Sequence, residues 1–375
     1  MTSKEHKKHA FVQKPMGGKF HRNEFAILGA PCSIIQQLSR RLSDELEKDH
    51  KLGYVDADHK ASDYESSFRV KYTNKIDHNR LEFYSDDLTR DFKGIFNDQE
   101  AVLVNGNHFT AQKQIVIINE EKKESLSRKL DRLTNVLMIL LDKGSSDVHD
   151  FMKEALPGYA SLPTYKIDNT VAIANVLKTA LASQKPLLNG LVLAGGRSVR
   201  MGQDKGAIDY YGKPQREHMA DLLSSLCDQT FISKRSESSI KSEYGFIEDT
   251  FTGLGPYGGI LSAFRKNPNT AWLIVACDVP MLDEPTLQCL INNRDVSKVA
   301  TCFYNPETNF PEPLIAIWEP RAYQRLLYFL GLGYSCPRKV LINSDIHQVL
   351  LDRAQVLTNV NTPEEYNNIK NQIIG

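Results

Sequence analysis

Apolar residues in this chain come in short runs, separated by glycine turns and by longer stretches whose apolar positions recur every third or fourth residue. From Glu24, FAILGAPCSIIQQLSRRLSDELEKDHKLGYVDADH reads as strand, glycine turn, amphipathic helix and second strand, the rhythm of a βαβ unit. Further strand-like runs lie at 101–104, 114–118 and 135–141, and 170–181 has helical spacing. A polar stretch, 182–186, closes this half with Pro186 and predicts a linker, placing a domain boundary within 182–189. The rhythm then restarts. Strands are predicted at 190–194, 229–233, 245–247, 271–276, 298–303 and 314–318, and helices at 217–226, 259–264, 284–292 and 321–330. Such alternation predicts two α/β domains with mainly parallel sheets. The expected division is an N-terminal arm over 1–22, a first domain over 23–182, a linker over 183–189 and a second domain over 190–375.

At 375 residues and 41% hydrophobic content the chain can bury two separate cores. Its formal net charge is zero, so nothing favours nucleic acid or an anionic membrane as a general partner. No apolar run approaches the roughly 20 residues that cross a bilayer, and the basic start MTSKEHKKHAFVQK has no hydrophobic signal core behind it. The expectation is a soluble, cytoplasmic protein. The six cysteines, at 32, 227, 277, 289, 302 and 336, include no C-x-x-C pair and suggest reduced thiols rather than a disulfide framework or zinc ribbon.

The candidate chemistry concentrates in LAGGRSVRMGQDKG, Leu193 to Gly206, where an apolar strand empties into a charged glycine turn. Gly195 and Gly196 have no side chain to hold the backbone off a ligand, so their amides can converge on phosphate oxygens. Arg197, Arg200 and Lys205 add positive charge suited to a triphosphate and a departing pyrophosphate. A solvated charged turn has the same glycines, but three basic residues on one loop repel one another unless an anion lies among them.

Three further motifs follow. WLIVACDVP sets Asp278 just past an apolar strand, where one carboxylate plus phosphate oxygens and water suffices for Mg²⁺; capping of the next helix or turn is the equal alternative. Cys277, in the same run, reads as a core thiol. GPYGG, Gly255 to Gly259, lets backbone approach a base or a phosphate, or turns the chain before a helix. In NVNTPEEY, Thr362, Pro363 and Glu365 spell a capped helix start. Asn359 and Asn361 are left over as possible ligands of ribose, phosphate or metal-bound water, or as turn residues.

Together these four motifs, in order over roughly residues 188 to 375, resemble the molybdenum cofactor guanylyltransferases, the MobA-like nucleotidyltransferases. The resemblance implies a Rossmann-like second domain that transfers GMP from GTP to the phosphate of Mo-molybdopterin and releases pyrophosphate. It assigns Leu193, Ala194, Gly195, Gly196 and Gly255 to the nucleotide, Lys205 to its phosphates, Asp249 to the guanine and Asp278 to Mg²⁺. Arg197, Arg200 and Lys205 would stabilise triphosphate charge, which suits an in-line displacement needing no covalent nucleophile. Ser233 stands where many members carry an asparagine that contacts the nucleotide, and Asn359 and Asn361 are candidates for holding the pterin cofactor. FPEPLIAIW, 310–318, departs from some relatives, so no role is carried over to it. Other molybdenum cofactor proteins or acceptor molybdoenzymes are implied partners. A cytidylyltransferase for the same cofactor, another small-molecule nucleotidyltransferase, or a non-catalytic cofactor carrier are the competing readings.

More faintly, FAILGAPCSIIQQL, YVDADHK and VLVNGNHF make the first half similar to the MobB-like P-loop proteins. Here Gly29-Ala30-Pro31-Cys32-Ser33-Ile34-Ile35 replaces the G-x-x-x-x-G-K-[ST] spacing, and Pro31 removes an amide donor. The expectation is a degenerate P-loop fold kept for docking. Asp56, Asp58 and His59 are a polar cluster for metal, pterin or solvent.

Overall fold

The computed structural model describes residues 19–57, 70–83, 94–194, 204–235, 240–306 and 308–374. The chain divides into two compact units, Met1–Ser183 and Gln184–Gly375.

In the first unit the elements are β1 (Glu24–Leu28), α1 (Cys32–Leu46), β2 (Leu52–Val55), β3 (Val70–Asn74), β4 (Asn79–Phe83), β5 (Ala101–Asn105), β6 (Lys113–Ile118), α2 (Lys123–Ser127), β7 (Val136–Leu141), α3 (Asp150–Ala155), β8 (Thr164–Lys166) and α4 (Thr170–Ala182). Six strands form one sheet in the order β2-β5-β1-β6-β7-β8, every pair parallel. Its strands are apolar on both faces because both are covered. Phe25, Ile27, Ile115 and Ile117 pack with Ile35, Leu38 and Leu42 of α1 and Ile173 and Leu177 of α4, while Leu28, Val116 and Ile118 face Leu126 of α2 and Met152 of α3. The antiparallel β3-β4 ribbon is a separate two-stranded sheet that the alternating pattern did not foresee.

The second unit contains β9 (Leu188–Leu193), α5 (Gln215–Ser224), β10 (Gln229–Lys234), β11 (Gly245–Glu248), α6 (Pro256–Lys266), β12 (Ala271–Ala276), α7 (Glu284–Asn292), β13 (Ala300–Asn305), β14 (Phe310–Trp318), α8 (Ala322–Gly331), α9 (Pro337–Ile342), β15 (His347–Val349) and α10 (Pro363–Ile374). Its sheet runs β11-β10-β9-β12-β14-β13-β15. The sheet is parallel except for β14, which is antiparallel to both neighbours. Five element starts move by two residues or more, among them the strand expected at 298–303, which starts at Ala300. The strand expected at 190–194 starts at Leu188, the one expected at 314–318 starts at Phe310, the helix expected at 259–264 starts at Pro256, and the helix expected at 217–226 starts at Gln215. The short α9 and β15 were not anticipated, being too brief for periodicity to register.

This topology creates the cleft. From β9 the chain crosses through α5 to β10 on one side, then returns through α6 to β12 on the other. Where such connections part, the carboxyl ends of the two central strands leave a crevice for ligands. α5 and α7 cover one face through Met219, Leu223, Leu287 and Leu290, and α6 and α8 the other through Ile260, Phe264, Leu326 and Phe329. The buried pair Arg294–Glu319, at 2.6 and 3.1 Å, also holds the carbonyl of Pro186 at 2.9 Å and so fixes the chain entering β9.

Among the described residues no helix is long and apolar enough to cross a membrane.

Candidate active site

Register lines up the strand ends that carry or precede several of the sequence-selected residues. Leu193 pairs with Ser233 on one side and with Ala276 on the other, so the ends of β10, β9 and β12 stand in a row. Beyond them lie Ala194, Asp249 and Asp278. Gly195, Gly196, Arg197 and Arg200 fall outside the described residues.

Lys205 is the hub of the edge. It opens a single 3₁₀ turn, Lys205–Ala207, whose N-cap Asp204 accepts from the Gly206 amide at 3.0 Å. Arg216, from the first turn of α5, grips the other Asp204 oxygen at 2.8 Å and so fixes the turn. From there the Lys205 ammonium reaches Asp278 Oδ2 at 3.2 Å and Asn361 Oδ1 at 2.6 Å. Asn361 is held in turn: its amide and that of Thr362 donate to the Glu365 carboxylate at 2.6 and 3.0 Å, and Glu365 N donates to Thr362 Oγ1 at 3.2 Å. These are the reciprocal bonds of a capping box. The backbone hydrogen bonds hold the Glu365 carboxyl below its usual range, the Asn361 amide contributing most. The Val360 amide donates to the Asp278 carbonyl at 2.7 Å, tying the NVNT segment to the turn after β12. Asn359 is exposed.

Asp278 does not cap α7, the alternative its position allowed; Asp283 does, accepting from Thr286 N at 3.0 Å. Asp278 Oδ1 is buried and has no hydrogen-bond partner among the described residues. A carboxylate with one oxygen on an ammonium and the other buried and unpaired fits a divalent cation chemically. Cys277 beneath it is a core thiol, as its apolar neighbours predict: burial pushes it well above the usual thiol range.

On the neighbouring edge, Ser233 Oγ donates to Asp249 Oδ1 at 2.7 Å. Burial raises the Asp249 carboxyl against that hydrogen bond. Gly259 makes the approach possible. A Cβ there would stand 2.7 Å from Leu193 Cδ2 and 3.2 Å from Ser233 Oγ. Gly258 serves packing alone, since its Cβ would lie 2.2 Å from the Phe251 carbonyl oxygen. Gly255 is the N-cap of α6, with φ +57 and open space around it.

Sequence reasoning missed Arg216 and Glu312. Carrying the β12–β14 register three steps past Val275↔Ile315 sets Asp278 opposite Glu312. The Glu312 carboxylate is buried, faces Arg338 at 3.4 Å and is raised by burial, with the Asp278 charge adding to the effect. A glutamate between two prolines in an otherwise apolar strand was the available signal.

The model of the MobA-like NTP transferase domain matches residues 190–348. A probable molybdenum cofactor guanylyltransferase of Nostoc sp. is 30% identical over 48% of this chain and 88% of its own length. The chain belongs to the MobA-like NTP transferase family. Its second unit is a nucleotidyltransferase domain. The molybdenum cofactor biosynthesis bifunctional protein of Synechocystis sp. is 36% identical over 54% of this chain, and the chain spans 59% of that relative. Among solved structures, molybdopterin-guanine dinucleotide biosynthesis protein A from Archaeoglobus fulgidus has 22% identity over 49% of this chain and 97% of its own, with TM-score 0.43.

Proposed function

We propose that the second unit transfers GMP from GTP to the terminal phosphate of Mo-molybdopterin, releasing pyrophosphate. The observation that carries this reading is the Lys205 ammonium bridging Asp278 and Asn361, which joins three of the four sequence motifs at one sheet edge. The names of the Nostoc and Synechocystis relatives support the choice of substrates.

In this reading the triphosphate lies along the amides after β9, with its α-phosphoryl group near Lys205. The ammonium then exchanges part of its hold on Asp278 for phosphate oxygens and neutralises charge as pyrophosphate departs. Asp278 would hold Mg²⁺, which supplies further charge neutralisation on the phosphates when bound. Asp249, beside Ser233, accepts from the N–H edge of guanine, and its burial makes that contact specific because an unpaired carboxylate there is costly. Asn361 orients Lys205, and the acceptor phosphate needs no base because it is already ionised at neutral pH.

Purified protein incubated with Mo-molybdopterin and each of GTP, CTP and ATP tests this. Pyrophosphate release with GTP alone is expected. Preference for CTP would make the enzyme a cytidylyltransferase, and release with none would leave a cofactor carrier.

A further inference from the structure

The first unit carries a cluster that the transfer reaction does not use. Cys32 is the first residue of α1, a fifteen-residue helix entered through the Gly29 turn at φ +95. Its N-cap, Pro31, has no amide and no capping side chain, and there is no acidic residue in the first turn. The positive end of the helix dipole therefore meets the Cys32 sulfur with no carboxylate on the helix's own first turn, and the neighbouring Asp56 is held by Tyr54 at 2.8 Å and Asn105 at 2.7 Å. His108, from the loop after β5, brings Nε2 to 3.2 Å from that sulfur. Asn107 donates to the Ala30 carbonyl at 2.8 Å and lies 3.8 Å from the same sulfur. Lys129 Nζ reaches the Asn107 carbonyl at 3.3 Å, and Arg132 the Gly106 carbonyl at 3.1 Å, so two cations are pinned to the loop that carries His108. Burial lowers the Lys129 ammonium, and Arg132, Lys122 and Arg128 lower it further, with Cys32 the one group acting the other way. A basic cluster gathered around a thiol and an imidazole is a different chemistry from a phosphate loop. It is the arrangement that activates sulfur.

We propose that Cys32 and His108 form a thiol-exchange site that accepts a small anionic disulfide. His108 Nε2 takes the Cys32 proton as the sulfur attacks one sulfur of the disulfide. The disulfide's S–S bond breaks, a new S–S bond joins Cys32 to that half, and the other half leaves as a thiolate that regains the proton from His108. The helix terminus and the Lys129–Arg132 pair favour reagents bearing carboxylates. Exposure alone gives a different order of reactivity. Cys336 is the exposed thiol and Cys32 is half-buried, while burial raises Cys227, Cys277 and Cys302.

The test treats the full chain with oxidised glutathione and with the dianionic reagent dithiobis(nitrobenzoate), following each cysteine by peptide mass. Cys32 is expected to react about tenfold or more faster than Cys336, and His108→Gln to slow it by a similar factor. Lys129→Gln should narrow its preference for the anionic reagent over neutral dithiodipyridine, with circular dichroism checking the fold of each variant. Cys336 reacting first would overturn the proposal, as would a Cys32 rate unchanged in a folded His108→Gln protein.

Discussion

Lys205 donates from Nζ to Asn361 Oδ1 at 2.6 Å, a bond between residues 156 positions apart. It makes the C-terminal helix start part of the candidate active site: α10 begins on the capping box that orients Asn361, and its Tyr366, Ile369 and Ile373 pack on Ile208 and Tyr210, just beyond the Lys205 turn. Asn361→Ala should therefore lower kcat/KM for nucleotide transfer by about tenfold, the scale of one hydrogen bond to a charged group. Steady-state kinetics check this, and the melting temperature should stay nearly unchanged.

Glu365 supplies a pH dependence of known sign. Its carboxyl is held low in the folded state, so its stabilisation is present above the unfolded carboxylate pKa and is lost as pH falls through the lower folded value. Acid unfolding of Glu365→Gln, followed by circular dichroism, should show a weaker loss of stability in that window than the parent shows.

Asp249 has the opposite sign. Burial raises its carboxyl, so ionisation at neutral pH opposes folding, and stability falls as pH rises from the unfolded value through the folded one. Asp249→Asn keeps an acceptor for Ser233 and removes the buried charge. It should raise the melting temperature at neutral pH while reducing GTP discrimination by ~10-fold or more.

The two glycines of α6 should respond differently. Gly258→Ala meets a backbone oxygen at 2.2 Å, which cannot move without shifting the chain, and should cost about 1–3 kcal/mol in urea unfolding. Gly259→Ala meets the far end of a leucine and the Ser233 hydroxyl, so its main effect should be a raised KM for GTP.

Much of this was legible in the sequence, for identifiable reasons. Asp278 and Lys205 stand beside regular elements in charged turns, where the spacing of an apolar strand and its exit loop is local. The capping box of Thr362 and Glu365 is likewise a contact between near neighbours and was read from spacing alone. What sequence could not supply was the bond from Asn361 to Lys205, because nothing local chooses between a turn amide and a ligand. Glu312 was hidden for a similar reason: it is set opposite Asp278 by the one antiparallel strand of the sheet, a reversal that the βαβ rhythm does not announce. Gly195, Gly196, Arg197 and Arg200 lie outside the described residues, so their part in the site rests on the motif.

The most direct test of the account is single-turnover transfer of α-labelled GMP from GTP to Mo-molybdopterin by the parent chain and by Asp278→Asn. The account predicts labelled product from the parent and a loss of about 100-fold or more in the variant, with the melting temperature preserved. Equal transfer by the two proteins would contradict it.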